Sequence, residues 1–263
     1  MKNASIRIES GKFKGKRLFL PSFATTRSTK SRVKACVFNT LRGELTGKIF
    51  IEVFGGSGAM AFEALSNYAM GAIIIEKDTK AYKIACENAK MLLESENLGD
   101  FSCEALNSSG NLGACDLKSL NFSEILRKFS VFSLKNAQIY NADSFELLPA
   151  LFADEKFSQM PVIAYFDPPF HLRNGFDDIY ERIFALINSL QNLKQSPNLR
   201  ASNSQNSNSQ ALNLRDLNSQ NLNLQAFIIE HSSQISTPAT LGIFTQYKFK
   251  KFGNTNLSFY QKI

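Results

Sequence analysis

The sequence predicts an α/β fold built on a largely parallel sheet flanked by helices. Three observations carry that expectation. Residues 49–51, 72–75 and 162–166 are uninterrupted apolar runs of the kind found in strands buried on both faces. Stretches of helical length separate those runs. The turn Gly55-Gly56-Ser57-Gly58 joins the first run to the helix after it.

The elements follow in order. Residues 6–20 read as a hairpin, in which Ile6 and Ile8 alternate with Arg7 and Glu9, Gly11 and Gly15 punctuate, and Leu18-Phe19-Leu20 returns. Residues 25–28 read as a loop, and a helix begins near Thr29 or Ser31, either of which can cap it. Val33, Val37 and Leu41 share one helical face, with Lys30, Arg32 and Lys34 expected to turn elsewhere. The first core strand spans 48–54 and the helix after the glycine turn 59–68. A second strand, 72–75, closes on Glu76-Lys77-Asp78 before a helix over 80–94. Residues 95–130 read as an insertion with a short helix near 122–129. A strand over 138–141 ends at Ala142-Asp143 and leads into a helix over 144–152. The strand 162–166 runs into Asp167-Pro168-Pro169-Phe170, and the prolines place that motif at its C-terminal end. A helix covers 179–190. Residues 191–225, rich in Asn, Gln, Ser and Leu, read as a flexible surface insertion. A strand over 227–229 and a final antiparallel hairpin, 244–250 with 257–260 around Gly253-Asn254, complete the chain.

Composition narrows the function. Residues 1–34 hold ten basic residues against one acid, Glu9, a net +9 that leaves −2 for residues 35–263. A concentrated positive segment suits a polyanion. No apolar run approaches a membrane span, and the first residues lack the apolar segment of a secretory signal, so a cytoplasmic protein with no membrane partner is expected. Cys36, Cys86, Cys103 and Cys115 make no CxxC pair. With two histidines, His171 and His231, no metal site is expected, and reduced, mostly buried thiols are.

The glycine turn lets backbone come close to a ligand at a helix N-terminus. Gly56 to Ala61 also matches G-x-G-x-x-A, a pattern shared with dinucleotide sites, whereas a P-loop is excluded because no Gly-Lys-Ser/Thr follows. Acids at strand ends favour a cofactor carrying an ammonium and a sulfonium, S-adenosylmethionine. Glu52 precedes the turn, Glu76 can accept ribose hydroxyls, and Asp143 can accept from an adenine amine. The candidate cofactor residues are Glu52, Phe54, Gly56, Ser57, Gly58, Glu76, Lys77, Asp143, Ser144 and Asp167.

Asp167, Pro168, Pro169 and Phe170 are the candidate catalytic residues. An aromatic amine is a poor nucleophile because its lone pair is delocalised into the ring. Hydrogen bonds from its N–H groups to the Asp167 carboxylate and the Pro168 carbonyl would localise that pair and aim it at the methyl donor. Two prolines hold the backbone, and Phe170 can stack on a base taken out of its stack. No cysteine lies near the motif, which disfavours C5 methylation. His171 reads as solvent-exposed rather than as a general base.

With these residues placed, the chain resembles the RsmD-type 16S rRNA guanine-N2 methyltransferases. The shared pieces include Arg7-Ile8 with Gly11, Lys14-Gly15 and Leu18, then Arg27-Ser28-Thr29 with Arg32-Val33-Lys34 and Phe38-Asn39. They continue with residues 54–59, Glu63-Ala64-Leu65-Ser66, Glu76, Asp78, Asp143, residues 166–170, Glu230-His231, Gly253-Asn254-Thr255 and residues 257–260. The resemblance implies a Rossmann-like class I methyltransferase with a mostly parallel seven-stranded sheet, a C-terminal antiparallel hairpin and a small N-terminal hairpin. It divides the chain into a basic arm, 1–28, that contacts RNA and a methyltransferase domain, 29–263. It implies methylation of a guanine N2 amine in small-subunit rRNA, on a ribosomal assembly intermediate, by a monomer. Lys12, Lys14, Arg17, Arg27, Thr29, Arg32 and Phe170 are the candidate RNA contacts. The chain departs from the family pattern at Ser28, where Pro is usual, at Glu52, where Asp is usual, and at Lys34-Ala35, where Arg-Glu is usual. Two other readings remain open: a DNA adenine-N6 methyltransferase, for which no separate target-recognition domain is evident, and a non-catalytic RNA-binding assembly factor.

Overall fold

The computed structural model describes residues 4–21, 27–94, 101–105, 137–154, 156–169, 178–191 and 222–263. The side chains of 27–30, Cys115, residues 170–177 and the helix expected near 122–129 lie outside that description.

Strands β1 (Ser5–Arg7) and β2 (Arg17–Phe19) pair antiparallel, the expected hairpin. Helix α1 (Arg27–Thr40) starts earlier than residue 29, at a terminus where a cap residue settles the boundary loosely. Strand β3 (Ile49–Val53), helix α2 (Ala59–Ser66), strand β4 (Gly71–Glu76) and helix α3 (Thr79–Ala89) follow. Helix α3 runs on into a π-helical segment, Lys90–Glu94. Next come strands β5 (Phe101–Ala105) and β6 (Ala137–Asn141), helix α4 (Ser144–Ala153), strand β7 (Val162–Phe166) and helix α5 (Ile179–Leu190). Strands β8 (Leu224–Ser232), β9 (Thr240–Leu241), β10 (Phe244–Phe252) and β11 (Thr255–Lys262) complete the chain.

Among the described residues the main sheet has nine strands in the order β5-β6-β4-β3-β7-β8-β11-β10-β9, parallel from β5 to β8 and antiparallel beyond. Two short edge strands thus extend the expected seven. One, β5, falls inside the stretch read as an insertion at 95–130. The other end of the chain shows a similar shift: Leu224 already pairs with Val162, so the stretch 191–225 gives way to the sheet before residue 225.

The continuous apolar runs fall on β3, β4 and β7, which are buried throughout apart from Glu76 at the end of β4. One core cluster joins the hairpin and α1 to α3 on one face of the sheet, around Phe50, Ile74, Tyr165 and Ile228. The other packs α4 and α5 on the opposite face, around Ile51, Ile75, Ala164 and Phe227.

Two expectations are corrected. Val33, Val37 and Leu41 are buried as expected, but Lys34 is buried with them at 1% exposure. Its Nζ lies 2.7 Å from Glu63 Oε2 on α2 and donates to the Arg7 carbonyl. The cysteines are not all free thiols. Cys86 on α3 and Cys103 on β5 form a disulfide, because the unforeseen edge strand lies beside that helix. Cys36 is free.

Glu63 Oε1 and Oε2 accept from the Glu9 N–H, and Oε1 also accepts from Ser10 N–H and Oγ. Replacing Glu63 with Ala strands the Lys34 ammonium and these donors. A loss of about 3–5 kcal/mol in urea-unfolding free energy is expected, and a loss within experimental error of zero would contradict the clamp.

His231 is fully buried at the end of β8. Its Nδ1 donates to the Ser232 carbonyl at 3.0 Å, and Nε2 lies 2.9 Å from Ser258 Oγ. Burial holds its pKa below the ordinary histidine value. The unfolded chain therefore takes up a proton before the folded one. Its contribution to stability is present above about pH 6.5 and is lost as the pH falls below that. The drop in unfolding free energy between neutral pH and pH 5 is expected to be smaller in His231→Asn, and identical slopes would refute this.

Candidate active site

The parallel strands deliver their C-terminal ends to one edge of the sheet, and the order reverses on either side of β3. Crevices at such a reversal are where open α/β sheets bind ligands. A cavity of about 270 Å³ lies there. Glu52, Phe54, Gly56, Ser57 and Asp167 line it, joined by Tyr165 and Glu230. The hairpin and α1 close its other side through Ile6, Leu20, Val33 and Lys34.

The glycine turn is shaped by three different demands. Gly55 packs on β4, where an added Cβ would lie 2.4 Å from Ile74 Cγ2. Gly58 has φ +76°, and its Cβ would lie 2.6 Å from both Ile74 Cδ1 and Phe62 Cε2. Gly56 has φ +54° and faces open space, so its backbone is available to a ligand. Phe54 also adopts a positive φ, 64°, a strained conformation for a bulky residue and one concentrated at functional sites.

The acids divide into two kinds. Glu52, 5% exposed, lines the cavity while its Oε2 accepts from the Ala61 N–H at 2.8 Å in the first turn of α2. Asp167 follows β7 directly and reaches the same cavity, with Pro168 buried and Pro169 exposed behind it. Glu76 instead steadies the turn: Oε2 accepts from Gly56 N–H and Oε1 from Asp78 N–H, both at 2.7 Å. Burial raises its pKa, and those two N–H groups oppose the rise. Asp143 caps α4 through Phe145 N–H at 2.9 Å and pairs with Lys77 Nζ at 2.9 Å. Ser144 is buried in the first turn of α4. Gly58, Glu76, Lys77, Asp143 and Ser144 therefore flank or support the cavity rather than line it.

Tyr165 and Glu230 escaped the sequence reading as site residues. The Tyr165 hydroxyl donates to Glu230 Oε2. Burial first, and Glu230 next, push the phenol well above its ordinary pKa, so it stays a donor. The rule that picked out Glu52 and Asp167, an acid closing an apolar strand, applies equally to Glu230 after Phe227-Ile228-Ile229. Lys12, Lys14, Arg17 and Arg32 are exposed on the hairpin and α1, whereas the side chains of Arg27, Thr29, Phe170 and His171 lie outside the described residues. Among the described residues no group of His, Cys, Asp and Glu is arranged to hold a metal ion, and no helix is long and apolar enough to cross a membrane.

The residues fit S-adenosylmethionine. Two carboxylates, Glu52 and Asp167, face a cavity with apolar walls at Phe54 and Met60, beside a glycine whose backbone is open to approach. That combination suits a cation with an apolar body.

Residues 6–114 match the family described as "Conserved hypothetical protein 95". "Ribosomal RNA small subunit methyltransferase D" of Escherichia coli is 40% identical over 76 residues, 29% of this chain and 38% of that protein. Matches to the curated relatives span between 38% and 57% of their lengths. In fold, "Putative methyltransferase yhhF from Escherichia coli" superposes with a TM-score of 0.56 at 19% identity, covering 98% of each chain. The Thermus thermophilus 16S rRNA N2 G1207 methyltransferase, solved with AdoMet and guanosine, gives a TM-score of 0.50 at 13% identity, covering 100% of this chain and 50% of that one. The resemblance to the RsmD-type methyltransferases carried by the motifs is thus borne out in sequence by the family match over residues 6–114 and by the curated relatives, and the solved structures share the fold.

Proposed function

We propose that this chain uses S-adenosylmethionine to methylate the exocyclic N2 amine of a guanine in small-subunit (16S) rRNA, within a protein-bound ribosomal assembly intermediate in the cytoplasm. The observation that carries the reading is the meeting of Asp167 with Glu52, Phe54 and Gly56 in one cavity at the sheet's reversal point. Similarity to a curated small-subunit rRNA methyltransferase supports rRNA as the acceptor. The amine acceptor is supported by the Asp-Pro-Pro-Phe sequence and by a fold relative described with AdoMet and guanosine.

The cofactor supplies an electrophilic methyl group on a sulfonium. Glu52 balances positive charge within the cavity, and the Gly56 backbone offers an approach for it, held in place by Glu76. Asp167 and the Pro168 carbonyl accept the two amine N–H groups. That draws the nitrogen lone pair out of the ring and fixes its direction. Pro168, buried under the strand end, keeps those two acceptors from drifting. The exposed cations of the arm, 1–28, and of the start of the domain, 29–263, hold the RNA backbone, and the protein acts as a monomer. Arg27, Thr29 and Phe170 complete the proposed RNA contacts.

Asp167→Ala is expected to lower methyl incorporation into small-subunit particles by at least two orders of magnitude, while calorimetry still detects S-adenosylmethionine binding. Normal transfer by that variant would sink the mechanism. Transfer to duplex DNA in preference to ribosomal particles would replace the rRNA reading with a DNA adenine one. Failure of the wild-type chain to bind the cofactor would leave a non-catalytic assembly factor.

A further inference from the structure

The C-terminal hairpin carries a second surface that the proposed reaction does not use. Residues 231–263 hold four lysines, Lys248, Lys250, Lys251 and Lys262, and no acid. In β10 the lysines alternate with aromatic residues, and Phe249, Lys250 and Lys251 are exposed. A polar groove of about 530 Å³ opens beside them. Its walls include Thr237, Gln246, Phe249, Lys251 and Asn256. Phe249 is 39% exposed, and Lys251 Nζ lies 5.9 Å from its ring centroid.

Two polar side chains of the groove are tied to its wall. Gln246 Nε2 donates to Thr237 Oγ1 at 3.1 Å, and Thr237 Oγ1 lies 2.7 Å from Ser258 Oγ. Asn256 also lines the groove at 3% exposure, with its Oδ1 buried beneath the surface.

The position of the groove links it to the cavity. Glu230 lines the active-site cavity and pairs with Leu257, while the next residue, His231, pairs with Asn256. The two openings therefore lie against adjacent residues of β8, on opposite faces of the same sheet edge.

We propose that this groove binds a nucleotide of a single-stranded segment of the RNA substrate. Its base stacks on Phe249, and Lys251 meets a phosphate. Positive charge interleaved with exposed rings is the chemistry of single-strand recognition, and the absence of acids across the hairpin favours a polyanion over a mixed-charge protein partner. The assignment rests on the rRNA methyltransferase reading.

The test is fluorescence anisotropy with a labelled single-stranded RNA oligonucleotide at several salt concentrations, alongside calorimetry with S-adenosylmethionine. Phe249→Ala is expected to weaken RNA binding roughly tenfold, and Phe249→Tyr, which keeps the ring, to bind like wild type. Lys251→Gln is expected to flatten the slope of log affinity against log salt by about 0.7. All three variants are expected to bind the cofactor normally. Unchanged RNA affinity in Phe249→Ala, with cofactor binding intact, overturns the groove and leaves the methyltransferase reading standing. Displacement of the RNA by polyglutamate as effectively as by unlabelled RNA also overturns it, since charge alone would then explain binding. A wild-type chain that binds neither RNA nor cofactor overturns both.

Discussion

One buried carboxylate ties the two parts of this molecule together. Glu63 sits on α2, the helix that begins at the glycine turn, and receives the Glu9 and Ser10 backbone N–H groups, the Ser10 hydroxyl and the Lys34 ammonium. The hairpin of β1 and β2 has three residues per strand, too few to be stable alone. It holds its shape because α2 supplies acceptors: Glu63, and also Ser66, whose carbonyl accepts from Lys12 N–H and whose hydroxyl accepts from Phe13 N–H. Its apolar side, Ile6, Ile8, Phe13 and Leu18, then joins the core cluster over the sheet. A buried ion pair adds little net stability over an apolar pair of the same shape, but it tolerates no other arrangement. The pairing therefore fixes where the basic arm sits relative to the cavity, since Ile6 and Lys34 line the same space as Glu52 and Asp167.

Because the strands from β5 to β8 are parallel, acids that close successive strands gather on one edge: Glu52, Glu76, Asp167 and Glu230. That edge would repel itself without donors. Backbone and hydroxyl groups supply several of them. Ala61 N–H serves Glu52, Gly56 and Asp78 N–H serve Glu76, and the Tyr165 hydroxyl serves Glu230. The edge stays negative while each of these carboxylates keeps a partner, an arrangement suited to a cationic ligand.

The core strands and helices were legible in the sequence because their periodicity is unambiguous. What was not legible has specific causes. Lys34 follows Val33 and lies three and seven positions before Val37 and Leu41, so helical spacing put it on the buried face. Its charge argued for solvent, and the partner that reverses that argument, Glu63, is remote in sequence. The edge strand β5 is five residues long and mixes polar with apolar side chains, which hides it and with it the bridge between Cys86 and Cys103. Asp143 was assigned to a ligand because it ends a strand, although it also stands two residues before the Phe145 N–H of a new helix and caps it. In the cavity, Glu52, Phe54, Gly56, Ser57 and Asp167 were found from motif and strand position. Glu230 follows the same strand-end rule and was passed over, whereas Tyr165 needed the pairing of β7 with β8, which sequence spacing alone does not give.

The opposite charges of arm and edge coexist because they differ in exposure. Lys12, Lys14, Arg17 and Arg32 are exposed, so dissolved salt screens them over about 8–10 Å. Glu52 and Glu230 are buried, and salt screens them far less. Lys34, which lines the cavity with them, is committed to Glu63 at 2.7 Å and to the Arg7 carbonyl. Engaging that lysine with the hairpin backbone thus does two things at once. It fastens the positive arm, and it pairs the cavity's lysine with a carboxylate, Glu63, that does not itself line the cavity.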